Sequence, residues 1–183
     1  MRPAADEVLH FSQDPTITRF VPHVAATAKE TEAYVWAVGA DRAPDYWFPR
    51  DTPRAMAWVV PGTTDADRDR IIGAGAGRRV HAVEYGALEA MRTVELYGYR
   101  LPAAPFRSIG HALVATEPVE PLGPAERVGD LFALHEAAGI QLRVLPDLWP
   151  FWDEVVGSTL GYSGIRLRYA RPAAPPGDRA RSR

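Results

Sequence analysis

The chain has 183 residues, 46% of them hydrophobic, with five tryptophans and a formal charge of −2, which describes a folded globule and gives no overall bias toward nucleic acid or membrane. Cysteine is absent, so disulfides, thiolate metal sites and cysteine nucleophiles are excluded. Lys29 is the only lysine, leaving twenty arginines, so an arginine here says less about anion binding than it usually does.

The opening residues carry no apolar h-region, and no apolar run reaches the roughly 18 residues of a membrane span. A cytoplasmic protein with no membrane association is the expectation. Then "EVLHFS" alternates, with Leu9 and Phe11 on one side and Val8, His10 and Ser12 on the other, as in a strand with one apolar face. Asp14-Pro15 is suited to begin a short helix carrying Ile17 and Phe20. "AYVWAVG" reads as a second strand, "DRAPDYWF" as one helical turn, and "RAMAWVV" as a third strand stopped by Pro61-Gly62. Thr64 caps an acid-started helix, "DADRDRII". "GAGAG" at 73–77 has a helix before it and a strand after, the reverse of a dinucleotide fingerprint, and reads as a turn.

"RRVHAVEY", "TVELYGYRL" and "HALVAT" read as further strands, with one or two helical turns in "GALEAMR". "ERVGDLFALHEAAG" reads as an amphipathic helix closed by Gly139, with His135 a satisfied interior histidine. "IQLRVL" follows as a strand. "DLWPFWDEVVGSTL" has its apolar residues at helical spacing, Pro150 in the first turn, and Trp149 and Trp152 as core anchors. "SGIRLRYA" closes as a strand. Elements mix without regular βαβ alternation. The expected fold is α+β, a single domain over residues 7–170 with a mainly antiparallel or mixed sheet, short helices and two longer C-terminal helices. Residues 171–183 carry four arginines and Asp178 and read as a disordered basic tail.

Three places carry chemistry. His10 and Ser12 share a strand face, where an imidazole is able to orient a ligand or shuttle a proton near neutral pH; the alternative is a histidine that fixes a neighbouring backbone. In "YWFPRDTPR", Pro49 and Pro53 hold the backbone extended or turning and so aim Arg50 and Arg54. Two guanidinium forks there would clamp an anion, with Tyr46 or Trp47 as a flat face; the alternative is a bend braced by Arg–Asp pairs. Glu95, Tyr97 and Tyr99 share one face of a later strand, and Glu117 stands at a strand exit; Glu95 and Glu117 are candidate bases and Tyr97 a ligand-binding phenol. No histidine spacing suits zinc, so no metal is expected, and the cofactor is open.

"LHFSQDPTITRFVP", "YVWAVGADRAPDYWFPRDTPR", "YGYRLP" and "LPDLWPFWDEVVGSTLGYSGIRLR" resemble an uncharacterised bacterial family classed as a domain of unknown function. The F-P-R-D-x-P-R run, Phe48 to Arg54, is its most distinctive element. The open position is Thr52, where the family pattern favours cysteine, and that departure speaks against thiol chemistry. The order of a first-strand histidine, a second-strand aromatic (Tyr34 or Trp36) and a late glutamate is also similar to ADP-ribosyltransferase-like folds, which would imply NAD held by His10 and the aromatic. The resulting expectation is a cleft lined by His10, Ser12, Arg50 and Arg54 that binds a small anionic molecule, a nucleotide or NAD-like ligand, with ribosyl or phosphoryl chemistry. The alternative is a non-catalytic protein-interaction module that docks through the aromatics at 46–48. Oligomeric state is open.

Overall fold

The computed structural model describes residues 1–24, 32–73 and 77–172. The tail from 173 onward and most of "GAGAG" therefore lie outside the described residues. The chain forms two compact units, each assembled from two separate stretches: Met1–Arg50 with Ala90–Leu131, and Asp51–Glu89 with Phe132–Arg183. The architecture is α+β, with three small sheets and four short helices among the described residues.

In the first unit, β1 (Glu7–Ser12) pairs antiparallel with β5 (Tyr97–Pro102), which also pairs with the two-residue β8 (Glu126–Arg127). A second sheet orders β2 (Val35–Ala37), β7 (Ala112–Ala115) and β6 (Arg107–Ile109). The alternation of β1 is realised as expected. Val8 packs with Phe20, Val35, Tyr99 and Leu101 in one apolar cluster, whereas Leu9 packs with Val38 and Ala43, and Phe11 and Tyr46 join that second cluster. A single bridge, Leu9 to Val38, ties β1 to the end of β2 through two 2.8 Å hydrogen bonds.

In the second unit, β10 (Gly161–Ile165), β3 (Arg54–Trp58), β4 (Arg79–Glu84) and β9 (Gln141–Leu145) form one sheet. Only β4 and β9 run parallel. Ala55, Ala57, Val80 and Ala82 line one face. They pack with Ile71 at the end of α1 (Asp65–Ile71) and with Phe151 and Val155 of α4 (Trp149–Val156). Trp149 and Trp152 pack against that cluster. Small residues on the strands let the helices approach closely, and removal of this apolar surface from water is the main stabilising contribution, about 25 cal/mol per Å². Thr64 accepts from the Asp67 N–H and so caps α1. Asp67 also accepts from the Thr159 N–H and hydroxyl, at 2.8 and 2.7 Å. This fastens the start of α1 to the chain leading into β10.

Several elements depart from expectation for local reasons. Residues 14–20 form no helix: Asp14 accepts from the Thr16 N–H and hydroxyl, closing a turn instead. The helix expected over 126–139 is α3, only Leu131–Ala137. Gly129, at φ +93°, breaks the run, and Glu126 and Arg127 pair with β5. Gly157 ends α4 short of Leu160. The closing strand stops at Ile165 because Arg166 turns left-handed at φ 58°. The "GALEAMR" turns become α2 (Leu88–Thr93).

Candidate functional site

His10 lies on β1 opposite Tyr99 of β5. Its ring stands 4.6 Å from the Phe20 ring, and Phe20 meets Tyr99 edge-on at 5.1 Å. The Tyr99 hydroxyl is fixed in turn, donating to the Asp14 carbonyl at 2.6 Å and accepting from the Ile17 N–H at 3.1 Å. The imidazole therefore rests on a rigid aromatic floor.

Its Nδ1 is 2.7 Å from the Trp36 carbonyl oxygen. A carbonyl only accepts, so Nδ1 carries the proton and neutral His10 presents the lone pair of Nε2. The backbone explains why that contact exists. β2 is bridged on its open side at Tyr34, by His23, and at Val38, by Leu9. Trp36 lies between those bridges, and His10 supplies the donor its carbonyl needs. The pKa of His10 is lowered. Burial is the largest cause, opposed by the Trp36 hydrogen bond, and electrostatic repulsion from His23 and Arg50 adds to the lowering. His10 is thus a neutral acceptor at pH 7, with the Arg50 cation close enough to weigh against its protonation.

Arg50 is exposed, and its backbone N–H donates to the Gln13 side chain at 3.1 Å. Gln13 follows β1 directly, so it holds the Arg50 turn beside the strand that carries His10. Gln13, His23 and Phe20 were not legible as site residues, since each joins His10 or Arg50 only through the tertiary fold.

The other expected residues have distinct settings. Ser12 accepts from the Asp14 N–H at 3.1 Å and serves the turn after β1. Tyr97 lies opposite Ser12 and donates to Glu95 at 3.1 Å. Its pKa is raised, first by burial and then by Glu95. Glu95 also pairs with Arg127 at 3.1 Å. Glu117 is exposed in the bend after β7. Tyr46 packs with the Leu9 cluster, on the side of β1 away from His10. The Arg50 charge is near enough to bear on His10, and Ser12 and Tyr97 lie along the same strand face as His10. Tyr46 is not among them. Trp47 and Phe48 are buried.

The arginine-rich corner contains a buried ion pair. Asp45 is fully buried and meets Arg42 Nη2 at 2.7 Å across one 3-10 turn, Ala43–Tyr46. The i,i+3 spacing in "RAPD" was the available signal.

Arg54 belongs to the second unit. It is 3% exposed, and its Nη1 donates to the Thr52 carbonyl at 2.9 Å. Arg54 and Met56 of β3 face the same way as their cross-strand partners Val83 and His81. This is the face opposite the alanine-lined core. His81 and His135 are both buried there, with Nδ1 and Nε2 3.1 Å apart. One ring must donate and the other accept. His135 is thus an interior histidine with a hydrogen-bond partner, as its place on the apolar stripe implied. No group of three or more histidine, aspartate or glutamate side chains is placed to hold a metal among the described residues. No described helix is long and apolar enough to cross a membrane.

An α+β chain with a backbone-anchored histidine on its first strand is what the geometry defines. Residues 9–170 match the model of a family of unknown function, DUF6886, and the chain belongs to that family. No curated protein and no solved structure matches the chain. The similarity to ADP-ribosyltransferase-like folds therefore finds no support among known structures.

Proposed function

We propose that the His10 face of the first unit binds a small anionic molecule that also carries hydroxyl groups, of nucleotide or NAD-like kind. The observation that carries this reading is the 2.7 Å contact between His10 Nδ1 and the Trp36 carbonyl, which fixes the tautomer and turns Nε2 into an acceptor. A ligand hydroxyl donates to that nitrogen. Arg50 supplies the charge that an anionic group needs, and its guanidinium is suited to two parallel hydrogen bonds. A neutral imidazole with a free lone pair is also a competent general base near neutral pH. That points toward transfer or cleavage at a ribosyl or phosphoryl centre. Arg54 takes no part in this reading, because its burial suits a bracing role.

Thermal unfolding with NAD, ATP and nucleoside monophosphates tests the proposal. A ligand at about 100 times its Kd adds about 2.7 kcal/mol, which raises the Tm of a chain this size by roughly 5–11 °C. Arg50→Gln and His10→Gln should each shrink that shift. Equal melting curves across the panel, or a shift that survives Arg50→Gln undiminished, would overturn the reading.

A further inference from the structure

The other face of the β2–β7–β6 sheet holds a cluster that the His10 site does not use. Trp36, Val114 and Arg107 lie in one row across the three strands, and direct partners in an antiparallel sheet point the same way. Tyr34, two residues before Trp36, shares that face. Trp36 meets the Tyr34 ring edge-on at 5.8 Å. The Arg107 guanidinium lies 5.5 Å from the centre of the same ring, and its Nη2 donates to the Tyr34 hydroxyl at 3.1 Å. An indole ring and a guanidinium thus both pack against one phenol ring.

Two features stand out. Nε1 of Trp36 is sealed from solvent and has no hydrogen-bond partner. Buried donors seldom lack one, and a missing partner calls for an explanation such as a water or a ligand. The acceptor that does reach the cluster is Glu32. The Tyr34 hydroxyl donates to its carboxylate, and that hydrogen bond is the largest cause of the raised Tyr34 pKa. The phenol therefore stays a donor. Glu32 meets Arg107 at only 3.9 Å, with side chains 70% and 57% exposed. A pair that open holds its partner weakly.

We propose that Trp36, Tyr34 and Arg107 form a second binding site, for a carboxylate or phosphate group, in which Glu32 is an intramolecular occupant that an external oxyanion displaces. The indole N–H, the phenol O–H and the guanidinium are all donors, so the set fits an acceptor-only group. The site shares neither side chain with the His10–Arg50 site and stands without it.

The test is an NMR titration that follows the Trp36 indole N–H at constant ionic strength, with sodium acetate in one arm and inorganic phosphate in the other. Glu32→Gln keeps the side chain's shape and removes the competing charge. The indole proton should shift saturably. The apparent Kd should fall about two- to fivefold in Glu32→Gln, the factor expected on removing an exposed ion-pair partner. The arm that saturates first tells carboxylate from phosphate. Arg107→Gln, at an exposed position, should abolish saturation. An indole proton unmoved by either anion in Glu32→Gln overturns the proposal. So does an equal, saturable shift in Arg107→Gln, which would mark adventitious anion contact only.

Discussion

Replacing His10 with phenylalanine keeps an aromatic ring against Phe20 and removes the donor to the Trp36 carbonyl. The Trp36 carbonyl is part-buried, and leaving a buried carbonyl without its partner costs about 1–3 kcal/mol, which sets the upper range here. For a chain of this length each kcal/mol moves Tm by about 2–4 °C, so His10→Phe should melt roughly 2–12 °C lower at pH 7.5. The pH dependence gives the sharper result. His10 titrates lower in the folded chain than its ordinary value, chiefly through burial. As pH falls below about 6.5, the unfolded chain takes up a proton that the folded chain still refuses. Wild-type stability therefore declines, by at most about 1.4 kcal/mol per pH unit from this group, until the folded pKa is passed. His10→Phe has no such proton to take up. Its deficit should be largest above pH 6.5 and should narrow on acidification. Thermal or urea unfolding of both proteins between pH 7.5 and pH 5 measures the gap. A gap that widens toward acid would show that folding favours the imidazolium, and the neutral-acceptor assignment would fail with it.

Two glycines give further tests of the packing. A Cβ at Gly161 would stand 2.5 Å from Trp58 Nε1 and 2.8 Å from Val60 Cγ1. Arg79 lies over the same Trp58 ring at 5.1 Å. Gly161→Ala should cost about 1–3 kcal/mol by overpacking, seen as a lower midpoint in chemical denaturation, and an unchanged midpoint would contradict the packing at that strand. Gly139 follows α3 at φ +64° with open space around it, so Gly139→Ala should cost about 1–2 kcal/mol through backbone conformation alone. Gly157→Ala is the matched control. Its φ is −83° and the nearest atom to a Cβ is 3.5 Å away, so stability should hold or rise slightly.

The fold was legible where a short pattern decides the structure. The alternation around His10, the Thr64 cap and Pro150 in the first turn of α4 each reflect a local constraint, and each appears in the structure. Local pattern failed where a competing contact exists only after folding. Glu126 and Arg127 look helical until Tyr97 and Gly98 pair with them. Asp14 was suited to cap a helix, yet its side chain serves Thr16. At the candidate site, the sequence put His10 and Ser12 on one face and marked Arg50. It offered no means of seeing Gln13 beneath the Arg50 turn, since thirty-seven positions separate them. Nor did the spacing of Arg50 and Arg54 show that one is exposed and the other buried. Four positions apart, they belong to different units.

That interleaving bears on how the protein is made. β1 ends at Ser12, and the strand it needs begins only at Tyr97. β3 and β4 likewise precede β9 and β10 by more than half the chain's remaining length. At about 5–20 residues per second, a ribosome takes on the order of ten seconds between the first strand and its mate. During that interval an apolar strand edge stands uncovered on the nascent polypeptide. A single cut near residue 50 would part β1 from β5 and β2 from β7 while leaving the β10–β3–β4–β9 sheet whole in the longer fragment, so the short fragment expressed alone should aggregate until the other is supplied.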